Sequence, residues 1–145
     1  IRDRNWDLSL FFAGQFGHYI YNNTENAFFT KGAINNGRNV TKDVVNNGES
    51  PSNAPDVSTR FLEKGDFLRM QNATLGYNFN LKESSVFNTL RLYVNGQNLF
   101  VLTDYSGLDP EVDTNKALDG IPSAGIDYTA YPKPRTFTFG LNASF

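Results

Sequence analysis

The chain contains no cysteine, which removes disulfide frameworks, thiolate zinc clusters and cysteine catalysis together. It has one histidine, His18, so a multi-histidine metal site cannot form within these residues and a histidine-based triad has little to build on. Charge of one sign is missing too. The 13 Lys and Arg stand against 15 Asp and Glu, for a net charge of −2, which leaves no basic patch and implies no nucleic-acid partner. No apolar run approaches the roughly 18–20 residues of a membrane-spanning helix. The longest clusters, such as Leu10 to Ala13, are far shorter, and a helical membrane protein is excluded.

What is present leans toward β structure. Aromatics make up 14% of the chain, with 13 Phe and 7 Tyr, and asparagine and glycine are abundant. An apolar fraction of 39% and a mean hydropathy of −0.44 fit a soluble protein. They fit a membrane barrel equally, because barrel strands present only every second residue to lipid. A length of 145 residues suffices for one domain with a core. Ile1 is not an initiator methionine and no signal peptide precedes the first strand-like run, so the chain reads as a mature or clipped segment of something longer.

Period-two alternation predicts four strands, over about residues 5–21, 67–80, 89–102 and 134–145. In the first, Trp6, Leu8, Leu10 and Phe12 keep one phase. In the second, Ala73, Leu75, Tyr77 and Phe79 oppose Asn72, Thr74, Gly76 and Asn78. The third sets Leu90, Leu92 and Val94 against Arg91, Tyr93, Asn95 and Gln97. The last carries Phe137, Phe139, Leu141, Ala143 and Phe145 on one face, with Thr136, Thr138, Gly140, Asn142 and Ser144 on the other. Between them lie long polar connections at about 22–65 and 103–132 and a short one, Leu81 to Thr89. The first is too long to be structureless in a compact domain, and short elements are expected near Ala27–Ile34 and Val40–Val45.

Alternation alone would also suit a soluble β-sandwich, for example a carbohydrate-binding module. Three features favour an all-β transmembrane antiparallel barrel. Connections run long, short, long, as expected for outer loops and a periplasmic turn. The strands reach the ~9–11 residues that a tilted crossing needs. Aromatics fall at both ends of the strands: Trp6, Tyr77, Phe79 and Phe145 toward one side, Phe67, Phe100 and Phe137 toward the other. This ordering puts Phe145 in the periplasm. Four strands cannot stand alone in lipid, so the remainder of the barrel must exist elsewhere.

Three ordered blocks carry a family resemblance: GDFLRMQNATLGYNF (Gly65 to Phe79), LRLYVNGQNLFVLTDYSGLDPEV (Leu90 to Val112) and GIDYTAYPKPRTFTFGLNASF (Gly125 to Phe145). They resemble the C-terminal region of the SusC/RagA family of TonB-dependent outer-membrane transporters. NWDLSLFFAGQFGHYIYN (Asn5 to Asn22) resembles the strand before it, and the likeness is weakest over Asn23 to Lys64. The resemblance implies a barrel of about 22 strands, of which these would be the last four, closed around a plug domain that this chain lacks. It also implies import of glycan or peptide fragments in the bacterial outer membrane. The implied partners are a SusD-like surface lipoprotein and TonB, the latter acting through the missing N-terminal part.

Several residues are candidates for function. Arg91, Tyr93, Asn95 and Gln97 would face the lumen, where plug and wall packing is preferred over substrate contact. Tyr105, Tyr128 and Tyr131 sit in or beside the outer loop and could stack on sugar rings or anchor at the interface. The acidic loop residues Asp104, Asp109, Glu111, Asp113, Asp119 and Asp127 offer oxygen ligands suited to calcium or to sugar hydroxyls. Their spacing matches no EF-hand, so solvated carboxylates are the preferred reading. Asp109-Pro110 suggests a turn start. Phe137, Phe139, Leu141 and Phe145 are the candidate signal for the barrel assembly machinery. No nucleophile–base pair or phosphate-cradling glycine loop is found, and no enzyme is expected.

Overall fold

A computed structural model describes residues 2–3, 5–54, 56–81, 86–118 and 121–145. Residues 82–85, inside the expected short turn, lie outside the described residues. The chain begins with strands β1 (Arg2–Asp3), β2 (Trp6–Gln15) and β3 (Tyr19–Asn22), then helices α1 (Asn23–Phe28) and α2 (Lys42–Asn46). Strands β4 (Leu62–Lys64), β5 (Phe67–Asn78), β6 (Thr89–Thr103) and β7 (Asp113–Leu118) follow. Strands β8 (Ile121–Ala124), β9 (Ile126–Asp127) and β10 (Thr136–Ser144) complete it. Two compact units result: a sheet unit of Ile1–Gly14, Phe67–Leu102 and Lys133–Phe145, and a loop unit of Gln15–Asp66 and Thr103–Pro132.

The sheet unit is one five-stranded layer in the order β1-β2-β5-β6-β10. The Asn78 N–H donates to the Asn5 carbonyl at 2.7 Å and the Phe79 N–H to the Leu90 carbonyl at 2.9 Å. The end of β5 thus meets the start of both neighbours, which makes it antiparallel to each. β10 pairs antiparallel with β6 from Thr136 opposite Gln97 to Ser144 opposite Thr89. The pairing stops where Asn98 takes a left-handed φ of 52° and its Nδ2 donates to the Pro134 carbonyl at 3.2 Å. Strands of 12 and 15 residues (β5 and β6) far exceed the usual ~5–6. Within this unit the sheet is a single layer, unlike a sandwich, in which two inner faces share a core.

Trp6 and Tyr77 meet edge to face at 4.8 Å, Tyr77 and Phe79 at 4.9 Å, and Phe87 lies 5.1 Å from Phe145. These rings gather at one end of the strands. Phe67 departs from the expected outer set of exposed aromatics. It is buried, with the Arg69 guanidinium 6.0 Å over its ring.

The single strand expected over 5–21 is two, β2 and β3, in different sheets. Gly17 separates them with φ 79°, a left-handed turn that a β-branched or bulky residue would resist. In the loop unit, β3 pairs antiparallel with β4 and parallel with β9, while β7 and β8 form a separate hairpin. The stretch after Asn22 is structured. The Asn22 Oδ1 accepts the Glu25 N–H at 3.0 Å and caps α1. A 3-10 turn follows at Lys31–Asn36, then α2. Glu49 ties this region together, taking the Lys31 N–H at 3.3 Å, the Asn47 amide at 3.2 Å and the Arg60 guanidinium at 3.0 Å. Ile20, Ala33, Val44, Phe61 and Tyr105 form its buried core.

Candidate functional site

Polar chemistry gathers in two places, one in each unit. In the sheet unit, directly opposed residues share a face. The register sets Arg91 against Asn142, Tyr93 against Gly140, Asn95 against Thr138 and Gln97 against Thr136. One face of the outer pair is therefore polar, and the other carries Phe137, Phe139 and Leu141, which are 58–81% exposed.

Arg91 is already engaged. Its Nε donates to Asp7 Oδ2 at 3.0 Å and its Nη2 to Asp7 Oδ1 at 2.5 Å, a bidentate pair. Asp7 is on β2 and Arg91 on β6, so the pair bridges over β5. Gly76 makes room for it: a Cβ there would collide with the guanidinium and with Asp7 Oδ2. The Asn78 amide adds a third bond to Asp7 at 3.1 Å. Arg91 also lies 5.2 Å over the Tyr93 ring, and that ring covers Gly140, where any side chain would clash. Asn95 Oδ1 is buried without a hydrogen-bond partner among the described residues, and Gln97 is exposed.

In the loop unit the central group is Asp127, 4% exposed. Its Oδ2 accepts the Tyr105 hydroxyl at 2.7 Å. Its Oδ1 accepts Thr24 Oγ1 at 3.2 Å and the Ala130 N–H at 3.4 Å. Burial, and then this bond to a carboxylate, raise the Tyr105 hydroxyl well above the usual phenol range, so it stays a donor. Glu63 works alongside, accepting from the Ser106 N–H at 2.9 Å, the Ser106 hydroxyl at 2.8 Å and the Asn22 amide at 2.9 Å. These bonds join β3, β4 and both long connections. They are a clamp.

The clamp changes the expected roles. Tyr105 is buried and its hydroxyl engaged, so it offers no ring to a sugar. Tyr128 is half-buried 6.0 Å from Phe28. Of the three tyrosines only Tyr131 is open, at 91% exposure. Asp109 is buried and its Oδ1 accepts the Glu111 N–H at 2.9 Å, an Asx turn at the Asp-Pro pair; Glu111 itself is exposed. Asp119 and the side chain of Asp113 lie outside the described residues. Among the described residues, no group of three or more carboxylates or imidazoles is placed to hold a metal ion.

Three residues of these two clusters, Asp7, Glu63 and Ser106, do not stand out in the sequence. Asp7 is there only a polar member of an alternating run, and its partner is 84 residues away. Glu25 does carry a visible signal, since Asn22-x-x-Glu25 has the spacing of a helix-capping box.

No family model matches the chain. It is 37% identical over its whole length to TonB-dependent receptor P3 of Formosa agariphila, of which it spans 15%. It is 32% identical over 98% of its length to TonB-dependent receptor SusC of Bacteroides thetaiotaomicron, of which it spans 14%. In fold it resembles a chain of the RagAB peptide transporter, with a TM-score of 0.77 over 98% of this chain and 16% of that one, at 24% identity. The long antiparallel strands with an exposed apolar face are thus those of a TonB-dependent receptor, a class of outer-membrane proteins. Within that class the chain belongs to the SusC/RagA family. Both of these relatives carry the name of receptors.

Proposed function

We propose that β2, β5, β6 and β10 are the last four wall strands of an outer-membrane barrel of about 22 strands, which imports nutrient oligomers, glycans or peptides. The observation that carries this reading is β10. Phe137, Phe139, Leu141 and Phe145 stand 58–81% exposed along one side, the other side holds only small or polar residues, and β10 is an edge of its sheet. In water such an edge invites aggregation; in a barrel it pairs with the first strand and its apolar side meets lipid. The long connections are outer loops, the β5–β6 turn is periplasmic, and Phe145 ends at the periplasmic rim.

Arg91, Tyr93, Asn95 and Gln97 then line the inner wall, where they pack against one another and against the plug. TonB acts through that plug, and a SusD-like lipoprotein covers the outer loops. Phe145, with the apolar side of β10, is read by the barrel assembly machinery. The test uses the full-length gene product with its plug. Deleting Phe145 should strip the protein from the outer-membrane fraction and abolish its heat-modifiable, folded form on gels. Wild-type insertion of that variant would overturn the assembly role, and a wild-type protein that stays soluble without detergent would overturn the barrel itself.

A further inference from the structure

The loop unit holds a cavity of about 850 Å³ for which the importer reading has no assigned use. Its size lies within the ~300–1,000 Å³ of small-molecule sites. Phe29, Val44, Leu108 and Tyr131 give it apolar walls, and Tyr131 is almost fully open at the rim. Its charged lining is Glu25, Asp43, Arg60 and Asp127.

These charges are not equally available. Asp127 is taken up by Tyr105, Thr24 and the Ala130 N–H. Arg60 is answered by Glu49 at 3.0 Å and lies over the Phe61 ring. Glu25 and Asp43 are left. Among the described residues neither carboxylate has a hydrogen bond or an ion pair. Glu25 is half-buried, and burial followed by the nearby Glu63 raises its carboxyl above the ordinary range, against the opposing pull of Arg60. The cavity lining therefore carries three carboxylates against one guanidinium, and that guanidinium is shared with Glu49. It holds apolar surface for a stem, aromatic rings whose faces attract cations, and carboxylates in want of a donor. An anionic ligand would be repelled. A neutral sugar would find the ring of Tyr131 but gain nothing from the charge.

We infer that this cavity binds a ligand carrying an ammonium or guanidinium group on an apolar stem, as a basic side chain of an oligopeptide does. It rests on the importer reading only for the ligand's role as cargo; the binding itself does not depend on it.

Calorimetry on the full-length receptor in detergent provides the test. The probes are acetyl-Ala-Lys-Ala-amide, its Gln and Glu counterparts, and maltotriose. The lysine peptide should bind about tenfold more tightly than the glutamine one, and the glutamate peptide more weakly than either. Glu25→Gln with Asp43→Asn should bring the lysine and glutamine peptides within about twofold of each other. Equal binding of the two peptides by the wild type, tighter binding of maltotriose, or a lysine preference that survives the double variant would each overturn the inference. Should the double variant fail to fold, Tyr131→Ala at the open rim replaces it. That variant should weaken the lysine peptide about threefold, and an unchanged affinity would count against the site. Membrane fractionation of the wild type reports on the importer reading separately, so the two can fail independently.

Discussion

In the sheet unit Phe137, Phe139, Leu141 and Phe145 stand 58–81% exposed, whereas in the loop unit Ile20, Phe61 and Tyr105 are at most 5% exposed. Both regions come from one chain of modest apolar content, so composition does not explain the contrast. The loop unit closes a core of its own around a polar clamp, as a structure in water must. The sheet unit holds together through backbone ladders, the ring contacts at its strand ends and the bridging Asp7–Arg91 pair, and leaves one side of β10 apolar and exposed. A fully exposed Phe forgoes roughly 1.5–3 kcal/mol of burial. In the proposed barrel, lipid supplies it.

The largest expected break in this contrast is Phe139→Arg. A charge near the middle of a lipid face costs about 2–4 kcal/mol, so the folded form should fall sharply in outer membranes and unfold at lower urea in detergent. Val57→Arg, in the loop unit and 83% exposed, should leave both measurements unchanged. Equal effects from the two would erase the distinction. Next comes Asp127→Ala. It strands the buried Tyr105 hydroxyl, at about 1–3 kcal/mol, and hydrogen exchange should speed up around residues 19–25 and 103–112 while the strands of the sheet unit keep their protection. Arg91→Ala should reverse that pattern on a smaller scale. Both members of the pair are about one-quarter exposed, at 26% and 27%, so about 1 kcal/mol should be lost from the sheet unit with the loop unit keeping its protection.

The smallest effect is one of pH, confined to the loop unit. Glu49 is held below the ordinary carboxylate range because its bonds to Arg60, Asn47 and the Lys31 N–H outweigh its burial. Its contribution is present above the unfolded value and fades as pH falls through the depressed folded one. Glu25, raised by burial, behaves oppositely: the folded state takes up its proton first, and stability rises as pH falls through that raised value. Mild acid should therefore tighten exchange near residues 23–28, and stronger acid should loosen residues 47–61. Loosening that begins at residues 23–28 would contradict these signs.

The strands of the sheet unit were legible because the pleat imposes a period of two, and β5, β6 and β10 show it residue by residue. Nothing in the run over residues 5–21 marked Gly17 as the point where the chain changes sheets. The parallel pairing of Tyr21 with Ile126 has no local signature, since the partners are more than a hundred residues apart in sequence. Tyr105 illustrates a different difficulty. A tyrosine amid loop residues reads the same whether its ring faces a ligand or its hydroxyl caps a buried carboxylate, and only its nearness to Asp127 decides. Arg91 and Asp7 were each readable as polar-face residues. That they meet required knowing which strand lies between them.

That intervening strand gives the sheet a mechanical property. Because Gly76 carries no side chain, Asp7 and Arg91 join the strands on either side of β5, like a suture passed over the middle thread of a fabric. A pull that slides β5 along its neighbours would shear two rows of backbone bonds yet leave those neighbours tied at this point. A stitch across three strands resists widening where a ladder of paired neighbours would unzip bond by bond.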